Sequence, residues 1–126
     1  MGDAAADDGA ARVLCDTGAL TAEASATGAL WRLAEPGRQL DANVVRVAPG
    51  AGVGAHTEPD LDVLLLVLAG DGALSTGRDR RPLAAGALVW LPHGAARGLV
   101  AGEDGLTYLT VHRRRPGMRI GTRPGV

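Results

Sequence analysis

The chain has 126 residues and a formal net charge of −1, and 46% of it is hydrophobic. That is one domain's length, with enough apolar material for a single core and no electrostatic case for a nucleic-acid or membrane partner. Phe is absent, Trp31, Trp90 and Tyr108 are the only aromatics, all thirteen basic residues are Arg and Cys15 is the only cysteine; together these exclude an aromatic cage, a Schiff-base or P-loop lysine, an intrachain disulfide and a cysteine-rich zinc site, and leave few platforms for base stacking.

Residues 1–11 (MGDAAADDGAA) are small and acidic, and are expected to be a disordered lead-in. They lack the positive n-region and apolar h-region of a signal peptide. No apolar run reaches the roughly 18 residues that span a bilayer, so the expected location is the cytoplasm. Residues 12–39 form an N-terminal segment. Within it Thr21 to Ala26 (TAEASA) predicts a helical turn, and Cys15 has no basic neighbour to activate it and reads as a spectator thiol.

Strand signals then take over. GALWRL (residues 28–33) and QLDANVVRVA (39–48) alternate loosely and carry β-branched residues; Pro49-Gly50 marks a turn. The run DVLLLVL (62–68) has the length of a strand buried on both faces. Gly70-Asp71-Gly72 predicts a tight hairpin turn and Gly77-Arg78-Asp79 a second one. GALVWL (86–91) is a further apolar strand, stopped by Pro92, which cannot donate to a ladder. Arg97 to Val100 and Leu106 to His112 complete the set, with AGEDG (101–105) as the turn between them. Short strands with regular turn signals predict an all-β sandwich or barrel. The tail, residues 114–126, which with His112 and Arg113 before it forms a stretch with five arginines (HRRRPGMRIGTRPGV), is read as a solvated extension rather than a polyanion site, because stacking aromatics are missing.

Two stretches resemble the motifs of the cupin superfamily. The first motif of that family has the form G-x5-H-x-H-x4-E-x6-G, and Gly50, His56, Glu58, Val63 and Gly70 stand at its spacing. The second has the form G-x5-P-x-G-x2-H-x3-N, and Gly86, Pro92, Gly94, Arg97 and Ala101 stand at its spacing. The resemblance covers about residues 40–113 and implies a cupin-type jelly-roll β-barrel, a double-stranded β-helix, in a single domain. It also implies a homodimer, and the exposed edge of a small sheet supplies a physical motive for one.

In the resembling family two histidines and a glutamate of the first motif join a histidine of the second to bind a metal. Here His56 is kept, but Glu58 stands at the second histidine, Val63 at the glutamate and Arg97 at the third histidine. Valine cannot ligate, and arginine is a permanent cation with no acceptor. Two protein ligands are fewer than a catalytic site uses. Tyr108, Thr110 and His112 alternate along one strand, so they share a face; His112 is the candidate replacement ligand, giving His56, Glu58 and His112 as an alternative metal set for Fe, Mn, Ni or Zn. Asp62 should point away from that face, and His93, in the Pro-x-Gly loop, should decorate the rim.

The first expectation is therefore no cofactor and a small-molecule ligand. Arg97 would anchor an anionic oxygen bidentately, His56 would act as general acid/base with Glu58 orienting it, and Tyr108, Thr110 and His112 would add ligand contacts. This suits a metal-independent isomerase, cyclase or lyase working by proton transfer on an oxygenated metabolite. The alternatives are a metal-dependent dioxygenase-like cupin and a non-catalytic binding or sensor cupin. A plainer fate for Glu58 is an ion pair with Arg97.

Overall fold

A computed structural model describes residues 9–23 and 27–115. Most of the expected lead-in and of the Arg-rich tail lie outside the described residues, as do residues 24–26 of the predicted helical turn. The helix, α1 (Thr17–Glu23), starts one turn earlier than TAEASA suggested. The reason is its cap: Asp16 Oδ1 accepts the amides of Gly18 at 2.9 Å and Ala19 at 3.3 Å, the arrangement that satisfies the first free N–H groups of a helix.

The strands are β1 (Gly28–Arg32), β2 (Leu40–Val47), β3 (Gly52–Thr57), β4 (Val63–Thr76), β5 (Arg80–Ala84), β6 (Leu88–Leu91) and β7 (Ala96–Arg113). All pairings are antiparallel. β4 and β7 lie side by side and each serves two sheets. The first half of β4 pairs with β6 and with the second half of β7, which also carries β2 and through it β1. The second half of β4 pairs with β5 and with the first half of β7, which also carries β3. Strands that switch sheets by bending are how a jelly roll closes its corners.

Two expected turns are instead these bends. Gly70-Asp71-Gly72 lies inside β4, and the chain reverses later, at residues 77–79, where Thr76 and Asp79 bond across the loop. AGEDG lies inside β7. The two bends face each other: Gly70 pairs with Leu106 and Gly72 with Ala101, so one residue of β4 opposes four of β7. A bulge of that kind adds twist and re-aims both strands at once.

The run DVLLLVL is also corrected. Val63, Leu65 and Val67 are buried, whereas Leu64 is 45% exposed and Leu66 and Leu68 are half-buried. β4 thus has an inner and an outer face, as an antiparallel sheet does, and Leu88 and Trp90 of β6 are exposed beside Leu64 on the outer one. The core is aliphatic: Val47, Leu65, Val67, Leu74, Leu91 and Leu106 pack with Tyr108 between the sheets. No helix among the described residues is long and apolar enough to cross a membrane.

Candidate functional site

The inner faces of β2, β3, β4 and β7 enclose a cavity of about 370 Å³, at the small end of the range for small-molecule pockets. Its walls are mostly aliphatic, with Val45, Val53, Leu65, Leu91 and Leu99 among them. The polar groups on the same wall are Asn43, His56, Glu58, Arg97, Tyr108, Thr110, His112 and Arg115. Alternation on the second half of β7 puts Tyr108, Thr110 and His112 on this wall, and alternation on β2 puts Asn43 and Val45 there. Asn43 pairs with Thr110 in register. On the other sheet, His56 of β3 pairs with Arg97 of β7, so an imidazole and a guanidinium stand side by side.

Each group has a distinct electrostatic state. Arg97 is buried, with 7% of its surface exposed. Its Nη1 donates to the carbonyl of Ala95 at 3.2 Å, and among the described residues no carboxylate reaches it. His56 is exposed toward the mouth, and its Nδ1 donates to the carbonyl of Gly54 at 3.1 Å. A carbonyl only accepts, so Nδ1 carries a hydrogen, and in the neutral ring Nε2 is then the atom with the lone pair. His112 is set the same way by the carbonyl of Arg113, 2.7 Å from its Nδ1. Tyr108 is 6% exposed, and burial pushes its phenol up, so it stays a hydroxyl donor.

Glu58 corrects two expectations. It neither pairs with Arg97 nor orients His56. Its Oε1 accepts from Arg115, and its Oε2 accepts the amide of Asp60 at 2.8 Å. The carboxylate is 6% exposed. Burial is the largest single influence and raises its pKa, but the Arg115 hydrogen bond, the Asp60 amide and the Arg115 charge together outweigh burial and hold it below the ordinary 4.5. A carboxyl depressed in the folded state stabilises the fold above its unfolded pKa, and that stabilisation disappears as pH falls through the folded value. Resistance to urea, followed by circular dichroism, should therefore be level at neutrality and fall in acid. In Arg115→Ala the guanidinium no longer holds the carboxyl so far below its ordinary value, so stability at neutrality should drop and the fall in acid should shrink. Superimposable profiles for the two proteins would refute the pairing.

Arg115 was not legible in the sequence. It follows the end of β7 at Arg113, so strand alternation does not reach it. The terminal chain is strapped down instead: the amide of Arg114 donates to Gln39 at 2.8 Å and Arg113 reaches the carbonyl of Asp60. Asn43 was missed too, although its alternation with Val45 was a usable signal. His93 and Asp62 sit outside the cavity wall. Asp62 Oδ1 accepts from both the amide and Nδ1 of His93, at 2.9 and 2.7 Å, and those bonds, the amide first, lower its pKa.

The donors do not fit the metal that the resembling family holds. Val63 is in the core, Arg97 brings a positive charge to the position of an imidazole, and Glu58 is engaged by Arg115. His56, Glu58 and His112 line one cavity, yet among the described residues no three His, Cys, Asp or Glu side chains gather closely enough to hold an ion. In that alternative set the carboxylate of Glu58 is bonded to the Arg115 guanidinium.

No family model and no curated protein matches the chain by sequence. Solved structures do match by fold. A cupin 2 conserved barrel domain protein from Salinispora arenicola is 24% identical, with a TM-score of 0.59 over 65% of this chain and 71% of that one. A Bacillus halodurans protein is 18% identical, with a TM-score of 0.67 over 87% and 86%. A sugar phosphate isomerase of the cupin superfamily from Silicibacter pomeroyi is 25% identical, with a TM-score of 0.56; the match takes in 63% of this chain and about half, 53%, of that one. With its two-sheet antiparallel barrel and these structural neighbours, the chain has the fold of the cupin barrels.

Proposed function

We propose that the barrel binds a small, partly apolar, oxygenated metabolite through an anionic oxygen group, and that His56 moves a proton on it without a resident metal. The observation that carries this reading is Arg97: a guanidinium with 7% of its surface exposed, on an aliphatic cavity wall, with a backbone carbonyl as its hydrogen-bond acceptor. A buried charge in that setting costs several kcal/mol unless an anion meets it. A carboxylate or enolate bound bidentately would supply that partner. His56, its register neighbour on the same cavity wall, has Nδ1 tied to a backbone carbonyl, which leaves Nε2 of the neutral ring as the atom to take a proton next to the developing charge. The Silicibacter pomeroyi neighbour, a sugar phosphate isomerase, is a precedent for isomerase chemistry on this fold.

The test separates binding from turnover. Benzoate should bind by calorimetry and the uncharged benzamide should bind at least about tenfold more weakly, the loss expected when one charge-assisted contact is removed. Equal binding of both, or of neither, overturns the anion site. For the chemistry, 4-methyl-2-oxopentanoate is incubated with the protein in D2O and followed by NMR. Deuterium should enter beside the keto group faster than in buffer, and His56→Gln should abolish the excess while leaving affinity within about threefold. Binding without exchange in the native protein would overturn the catalytic part and leave a binding module.

A further inference from the structure

The cavity holds three permanently or firmly charged groups, Arg97, Arg115 and Glu58. Two guanidiniums stand against one carboxylate, a net of one positive charge with the imidazoles counted as neutral. That charge is not shared evenly. Glu58 is committed to Arg115 by an ion pair and is fixed from the other side by the Asp60 amide. Arg115 is thereby neutralised, and it is the more exposed of the two guanidiniums, with 36% of its side chain accessible. The uncompensated charge is at Arg97, inside the apolar wall.

Resting on the anion-site reading above, we infer that the cavity selects ligands carrying a single negative charge, and that Glu58 is the residue that sets this selectivity by occupying Arg115. A carboxylate on an aliphatic or aromatic body matches one free guanidinium and Leu/Val walls. A second negative group would have either to sit unpaired against those walls or to compete with Glu58 for Arg115. Both are unfavourable, because an unpartnered ion in an apolar site keeps its desolvation cost, and because the Glu58–Arg115 pair is already formed within the chain, with its carboxylate bonded twice. Phosphate monoesters, which carry nearly two charges at neutrality, fall into the disfavoured class. The cavity thus differs in charge requirement from what a sugar phosphate would ask of it. Glu58 acts here as a charge-setting residue that touches a guanidinium rather than the ligand.

The experiment compares hexanoate with adipate, which share a six-carbon chain and differ by one carboxylate, using calorimetry on the full chain. The native protein should bind hexanoate at least about tenfold more tightly than adipate. Glu58→Gln keeps the acceptor for the Asp60 amide but frees Arg115; it should tighten adipate by about tenfold or more and change hexanoate by less than about threefold. Arg115→Gln leaves Glu58 ionised and uncompensated beside the cavity and should weaken both ligands. Circular dichroism of each variant confirms that the fold is kept. If adipate binds the native protein as well as hexanoate does, or if Glu58→Gln leaves the ratio unchanged, the charge selection is wrong while the anion site stands. If neither acid binds any variant, the anion site itself fails.

Discussion

Replacing Arg97 by Leu should abolish binding of benzoate in the barrel and, at the same time, raise the melting temperature of the protein. The two effects share one cause. In the free protein the guanidinium is buried on an aliphatic wall, no carboxylate among the described residues reaches it, and its Nη1 donates to the Ala95 carbonyl. Its desolvation is only partly offset, so a leucine, shorter but apolar, is expected to be neutral or stabilising by about 1–3 kcal/mol, as for other buried charges exchanged for apolar groups. For the ligand the same exchange removes the charge that receives it. An anion left without its partner in such a site costs about 2–4 kcal/mol, or roughly 30- to 1,000-fold in affinity. Arg97→Lys should fall between, because an ammonium keeps the charge but loses the bidentate fork. A variant that binds benzoate normally would remove Arg97 from the site. A variant that melts several degrees lower would show that the guanidinium is a structural member of the fold rather than a group held ready for a ligand.

The second large effect is expected at Gly70, where Ala should destabilise the protein severely and Val should prevent folding. A Cβ at this position would lie 2.0 Å from the carbonyl oxygen of Gly105 and 2.8 Å from its carbon. Both are backbone atoms of the facing bend and have no side-chain torsion by which to move away. The residue also has φ of +80°, a conformation that costs an L-residue about 1–2 kcal/mol before any clash. The two penalties add, and the β4–β7 crossing on which both sheets hang has to open to relieve them. Gly54→Ala is the control. It lies in β3 with a negative φ, and a Cβ there meets nothing within 4 Å, so its effect on stability should stay within about 0.5 kcal/mol. Urea midpoints for the two variants decide the matter: similar values would mean that the bend is not pinned by backbone contact.

The same glycine shows how a sequence can be right about a residue and wrong about its reason. Gly70-Asp71-Gly72 and AGEDG carry the composition of reverse turns, and local signals cannot distinguish a chain that turns back from one that bends and continues. The distinction is made by pairing. Gly72 meets Ala101 and Gly70 meets Leu106, contacts about thirty residues apart in the chain, which no window of turn propensity contains. The apolar run from Val63 to Leu68 was misjudged for a related reason. Hydrophobic content alone implied burial on both sides, whereas the inner and outer faces of β4 differ in what lies opposite them.

What the sequence by itself determined was the architecture and the identity of the replaced motif positions. Pro92 and the glycine spacings encode where a strand must end or bend, because φ and the missing proline N–H are properties of single residues. Alternation likewise assigned Tyr108, Thr110 and His112 to one face. What only the tertiary structure decided was who partners whom. Glu58 was expected to choose between His56 and Arg97, yet it is held by Arg115, a residue 57 positions away that lies just past the last strand. Coulombic and hydrogen-bonding energies depend on distances of a few ångströms, and those distances are set by how the end of β7 is strapped across the barrel mouth, not by the order of residues along the chain.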